Sequence, residues 1–417
     1  MMAGSRRAFL RGMGGVACGL SVGMPVVWER VARAAPNAAR PGGRPTVLVV
    51  VQLNGGNDGL NTVIPAGDPT YRAARPQLAL ARSAGLSLTA DLMFHPACRG
   101  LAGLLERQQL GVVLGVGYPQ PNRSHFVSMD IWNSASVVEG ESTGWLGRAV
   151  DAWSANGSGE VGLGGSLHVG AGEAPLALES PRGKTFSLQR LDDYRLKVAE
   201  GKDDPARRLA IQGFAARRGS GGSAMLERIR QSAREAYDSS ERIARVARES
   251  NRAGYPATEL GQRLKLIAQL LESEIPERVY YTTQDGYDTH ASQLPAHAGL
   301  LTELSDALAA FQKDLEAMGQ AERVVTLVFS EFGRRVAENA SAGTDHGAAS
   351  TLFLVGSPVV AGPVGRYPSL TDLDDGDLKH TVDFRSVYQG LLADWLGVEP
   401  QRVLESEFAA LRVVREG

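Results

Sequence analysis

Polar clusters at five places in this chain combine carboxylates with imidazoles, a hydroxyl or a guanidinium. They are Asp58 in Asn54-Gly55-Gly56-Asn57-Asp58-Gly59, Ser124 with His125, Asp288 with His290, Glu331 with Arg334, and Asp345 with His346. Carboxylate oxygens and imidazole nitrogens together are a ligand set for a divalent metal. A metal pair would hold an anionic substrate and stabilise both the attacking and the leaving oxygen of an in-line displacement. On this reading Asp58, Asp288, His290, Glu331, Asp345 and His346 are the expected metal ligands, and zinc, manganese or calcium the expected cofactor. Ser124 is the expected nucleophile, its hydroxyl activated by the ion, and Arg334 the expected bidentate clamp on the anion. Each group also has a structural reading: Asn and Asp satisfy turns, Ser124 and Asp288 could cap helices, and Glu331 could pair with Arg334.

What would bring such distant residues together is the carboxyl edge of a parallel sheet, where the ligand crevice of open α/β folds lies. Val47 to Leu53 is a continuous apolar, β-branched run that breaks into the Asn54–Gly59 turn, the pattern of a strand buried on both faces. A second buried strand is expected at Leu110 to Val116, and further strands at Arg278 to Thr283 before Asp285-Gly286-Tyr287-Asp288, at Val324 to Phe329 before Ser330-Glu331-Phe332-Gly333, and at Thr351 to Gly356. Helical spacing of apolar residues predicts helices over Cys98–Gln109, Met225–Glu249, Leu260–Glu272, Ala296–Met318 and Phe384–Leu396. The expected fold class is α/β, a mostly parallel central sheet flanked by helices. Loose, Gly-rich composition at about 156–222 predicts an inserted cap region carrying short strands. No fixed-period repeat or heptad seam occurs.

Through QLNGGNDGLNTVIP, NRSHFVSMDIW, DGYDTHASQ, FSEFGRRVAENASAGTDHGAA and TVDFRSVYQGLLADWLG, the chain resembles the bacterial exported family designated domain of unknown function 1501. That family is grouped by fold with the alkaline phosphatase and sulfatase superfamily, so the resemblance implies an alkaline-phosphatase-like sheet with a metal site at the strand ends. It also implies that Asp58 is the aspartate after the first strand, that Ser124 stands near the nucleophile's place, and that Asp288 and His290 are a ligand pair. Where superfamily enzymes have Asp-His-Gly or Asp-Asn-Gly after the fourth strand, this chain has Glu331-Phe332-Gly333. Asp345-His346-Gly347 could supply the ligands missing there.

The chain has 417 residues, 43% hydrophobic and 22% charged, enough to bury a sizeable core. Ser5-Arg6-Arg7-Ala8-Phe9-Leu10 before a Gly/Ala/Val run is read as a twin-arginine export signal over residues 1–34, with cleavage near Ala32-Arg33-Ala34. A linker at 35–45 and a single domain at 46–417 follow. The expected location is periplasmic or secreted, and the export machinery is an expected partner. Losing five arginines and Glu29 would take the formal charge from −2 to about −6, with no basic excess to suggest nucleic acid. Cys98 would then be the sole cysteine, which excludes an internal disulfide. The expected function is hydrolysis of a small anionic phosphate or sulfate ester by an exported, metal-dependent enzyme. The rival is a non-catalytic binding or assembly protein that keeps the fold without the chemistry.

Overall fold

A computed structural model describes residues 45–138, 140–156, 165–181, 185–189, 213, 254–273 and 277–415. The expected signal at 1–34, nearly all of the linker and the expected helix Met225–Glu249 lie outside the described residues. The strands of the main sheet are β1 (Val47–Leu53), β2 (Leu110–Gly117), β3 (Ser166–Val169), β4 (Phe186–Leu188), β5 (Val279–Gln284), β6 (Val324–Ser330), β7 (Ser350–Val355), β8 (Gly362–Val364) and β9 (Val382–Asp383). They form one nine-stranded sheet in the order β8-β2-β7-β6-β1-β5-β3-β4, with β9 also on β2.

β1 lies at the centre, parallel to β5 on one side and β6 on the other. Its alternate residues explain the unbroken apolar run. Val47, Val49, Val51 and Leu53 enter one core cluster, while Leu48 and Val50 enter the cluster on the opposite face. One strand therefore serves two hydrophobic layers, as a strand covered on both sides must. The sheet is mixed because β7 runs antiparallel to both β6 and β2, so β2 and β6 point the same way. Strands β3 and β4, from the region expected to form an insertion, extend the main sheet in parallel beyond β5.

Helices cover both faces. α1 (Arg99–Glu106), α4 (Glu259–Glu272) and α5 (Gln293–Ala317) place Leu104, Leu264 and Leu304 in the first layer. α2 (His125–Ser134), α3 (Trp145–Asn156) and α6 (Phe384–Gly390) cover the second. Trp132 of α2 is stacked between Phe329 of β6, at 4.9 Å, and Phe384 of α6, at 4.3 Å. Each such aromatic pair contributes about 0.5–1.5 kcal/mol beyond its buried area. This clamp fixes α2 on the sheet and so fixes the direction of His125 at its first turn. Among the described residues, no helix is long and apolar enough to cross a membrane.

Candidate metal centre

Because β1, β2, β5 and β6 run the same way, the turns after Leu53, Gly117, Gln284 and Ser330 open at one edge of the sheet. The antiparallel β7 begins at that edge, so the whole connection from Glu331 to Ala349 stays there. Two glycines let the turns close up. Gly55, at φ +115°, could not carry a Cβ, which would stand 2.4 Å from the backbone nitrogen of Asp288. Gly56, at φ +73°, is pressed as closely by the ring of Phe332. Backbone of this kind favours glycine, and here it brings the first and third turns into contact.

Asp288 is the hub. Its Oδ1 lies 3.0 Å from Nε2 of His290, 3.0 Å from Nε2 of His346 and 3.5 Å from Nε2 of His125. The donor atoms of His125, Asp288 and His346 all lie within 4.8 Å of one another, and His290 Nε2 adjoins them, 3.0 Å from His346 Nε2. Behind the rings, each Nδ1 has its own acceptor. His125 Nδ1 meets Glu331 Oε1 at 2.7 Å, His346 Nδ1 meets the Arg123 carbonyl at 2.9 Å, and His290 Nδ1 faces Asp345 Oδ1 at 3.4 Å.

Those acceptors favour one tautomer. A carbonyl or carboxylate oxygen can only accept, so the short contacts behind His125 and His346 favour the proton on Nδ1, which in the neutral ring turns the Nε2 lone pair towards Asp288. Imidazole lone pairs and a carboxylate oxygen then face one another, a repulsive set unless a proton or a cation sits among them. His125 Nε2 is buried and has no hydrogen-bond partner. An ion about 2.0–2.1 Å from tetrahedral donors would hold them roughly 3.3 Å apart, close to the 3.0–3.5 Å separations around Asp288. The outer partners are those that orient metal-bound histidines. Phe332 supplies the wall beneath, its ring 4.9 Å from those of both His125 and His346, and it keeps water from that side.

The charges fit this arrangement. Burial raises the Asp288 carboxyl, but the hydrogen bond from Arg334, the one that His346 Nε2 gives when a proton rather than a cation lies between them, and the Arg334 charge outweigh it and bring it down to about 2. The hydrogen bond to Glu331 raises His125 against the opposing effect of burial. The hydrogen bond from Asn339 holds Asp345 below its ordinary value.

The structure thus brings together Asp288, His290 and His346 from the expected ligand set and adds His125, which the sequence places beside Ser124 without giving it a ligand's role. Glu331 and Asp345 stand one layer back, on the Nδ1 atoms. Both Glu331 oxygens are engaged, Oε1 by His125 and the Gly55 amide at 2.9 Å, Oε2 by the Ser330 hydroxyl at 2.9 Å. Asp58 is separated from the set. It is buried against Arg75 at 2.6 Å, takes a further hydrogen bond from Gln293, and caps the short helix Gly59–Thr62. Burial raises its carboxyl, but the Arg75 and His297 charges and these hydrogen bonds hold it below the ordinary range.

Arg334 does not reach outward as a clamp. Its fully buried guanidinium donates to the carbonyls of Gly56 at 2.7 Å, Thr344 at 2.8 Å, Gly55 and Tyr287, and to Asp288 Oδ1 at 2.7 Å. Its donors are consumed in tying three turns together, leaving no bidentate face for an anion. Ser124 is exposed at the start of α2, and its hydroxyl caps nothing.

Fold and site together define the class: an α/β protein with a mixed, mostly parallel sheet and a His/Asp cluster, suited to a divalent metal, at its strand ends. Within that class the chain belongs to the family described as protein of unknown function, DUF1501, whose profile matches residues 104–405. A search of curated proteins finds no match. Among solved structures, the lipoteichoic acid synthase LtaP from Listeria monocytogenes is similar at 10% identity and a TM-score of 0.41, over 93% of this chain and 81% of that one. The PsFucS1 sulfatase from Pseudoalteromonas sp. is similar at 10% identity and 0.38, over 86% and 69%. The phosphonate monoester hydrolase SpPMH from Silicibacter pomeroyi is similar at 11% and 0.37, over 85% and 74%.

Proposed function

We propose that this chain is an exported, metal-dependent hydrolase of small phosphate or sulfate esters, with His125, Asp288 and His346 as core ligands and His290 adjoining them. The observation that carries the reading is the unpartnered, buried Nε2 of His125 aimed at the Asp288 carboxylate, in a set of rings whose other nitrogens are all anchored. Imidazole-rich donor sets suit zinc and, less well, manganese, whereas calcium takes oxygen ligands, so calcium fits this centre poorly. A bound ion would polarise an ester oxygen and offset the charge that develops on it. The chain's own contribution is to hold the imidazoles in one tautomer, through Glu331, Asp345 and the Arg123 carbonyl, and to exclude water beneath them with Phe332. Export by the twin-arginine route to the periplasm or beyond belongs to the same proposal, resting on Arg6-Arg7 and the residues after them.

The test is turnover of aryl phosphate monoesters, phosphate diesters and sulfate esters by protein purified from its export compartment, with and without a chelator. Chelator-sensitive hydrolysis of any one of them is the expected result. Stoichiometric metal with no turnover across the panel would move the chain to the rival class, a binding or assembly protein.

A further inference from the structure

We infer that the centre holds one divalent ion and not two, with Arg334 standing permanently as the second positive charge beside Asp288. This rests on the metal-centre reading above and follows from an inventory of ligands. A second nitrogen-ligated ion needs further imidazoles, and all seven histidines of the chain are among the described residues. Three of them, His125, His290 and His346, surround Asp288; His297 is held by Asn57 Oδ1 at 2.9 Å, His95 by the Ala97 amide at 3.1 Å, and the half-buried His380, packed beside Gly117, joins no converging group of donors. His168 bonds the Ser187 hydroxyl at 2.8 Å, at the far edge of the sheet. Among the described residues no further group of three His, Cys, Asp or Glu side chains converges closely enough to hold an ion.

Two carboxylates at the strand ends are engaged elsewhere. Asp58 is neutralised by Arg75, whose remaining donors hold Asn61 Oδ1 and the carbonyls of Val336 and Arg335. Glu331 has both oxygens occupied by internal donors. Arg334 lies 2.7 Å from Asp288 Oδ1, the same oxygen that the imidazoles face, so a fixed positive charge already flanks the carboxylate that would bind the ion. A guanidinium keeps its charge, so it offsets part of the negative charge that would draw a second cation to Asp288.

The test uses the wild-type chain, stripped with chelator, reconstituted with excess zinc and desalted. Elemental analysis is expected to return about one zinc per chain. Protein loaded with manganese is expected to give the six-line electron paramagnetic resonance signal of an isolated ion, without the splitting of a coupled pair. Two ions per chain, or a coupled signal, would overturn the single-ion inference and leave the metal-centre reading standing. No retained ion at all would overturn both.

Discussion

Replacing Glu331 with glutamine tests whether this residue supports the centre from behind or binds the ion itself. The side chain is buried, and its Oε1 accepts from His125 Nδ1 at 2.7 Å and from the Gly55 amide at 2.9 Å. Only the Oε2 side can take an NH2 without setting donor against donor, because the Ser330 hydroxyl that donates there at 2.9 Å can turn its proton to the Leu53 carbonyl at 2.7 Å and accept from the amide. Glu331→Gln should therefore fold with the amide turned towards Ser330 and the carbonyl kept on His125. What is lost is the negative charge behind the imidazole, a hydrogen bond of about 1.5–3 kcal/mol falling to a neutral one of about 0.5–1.5. Loss of such an outer partner weakens metal binding about 10–100-fold, which corresponds to about 1.4–2.8 kcal/mol. Competition with a chromophoric chelator gives the zinc affinity directly, and circular dichroism confirms the fold. An unchanged affinity in a folded variant would refute the role given to Glu331. A fall of several thousand-fold would show it to be a ligand.

Asp58→Asn should leave zinc stoichiometry unchanged while costing about 3–5 kcal/mol of stability, because it strands the buried Arg75 guanidinium; calorimetry and elemental analysis of the folded fraction check it, and loss of metal would return Asp58 to the ligand set. Acidification should destabilise the chain through His297, which burial, against the pull of Asp58, brings down to about 4. A free histidine titrates near 6.5, so between about 6.5 and 4 the unfolded chain binds the extra proton and stability falls as pH falls. The loss approaches about 3 kcal/mol at pH 4. Urea unfolding from pH 7 to pH 4.5 should show the slope, and His297→Gln should flatten it; an equal slope in the variant would count against burial of a neutral imidazole.

The strands were the most legible part of the fold. Val47–Leu53 is the same seven residues in sequence and structure, because a strand buried on both faces reads as a continuous apolar run, and the strands expected at Leu110–Val116, Arg278–Thr283 and Val324–Phe329 differ from the observed ones by about a residue. Strand direction was not legible: Ser350–Val355 has the same apolar pattern as its parallel neighbours, and only tertiary pairing makes it antiparallel. The irregular stretch before Pro96 holds the helix Pro69–Ala74 and a three-stranded sheet of two-residue strands, too short for any periodicity to show. The helix expected over Phe384–Leu396 is α-helical to Gly390 and continues as a π-helical turn, a change of pitch that apolar spacing does not reveal.

The site followed the same division. Sequence reading located the edge and the turns because polar, glycine-containing breaks after apolar strands are local signals. Which carboxylate faces the imidazoles depends on partners far away in the chain. Arg75, the residue that removes Asp58 from the set, sits in an irregular segment with nothing local to mark it, and Arg334 spends its donors on carbonyls from three different turns. His125 had a signal that was visible, an imidazole at the first turn after the second strand. Its role depends on Trp132 seven residues on, which clamps α2 and so aims the ring at Asp288.

X-ray absorption at the zinc edge, on protein reconstituted with one equivalent, addresses the central claim most directly. A first shell near 2.0–2.1 Å with the outer-shell scattering of at least two imidazole rings and one carboxylate oxygen is the expected result, with the imidazole signature reduced in His125→Ala. A shell made only of oxygen, or an imidazole signature unchanged when His125 and His346 are both replaced, would contradict it.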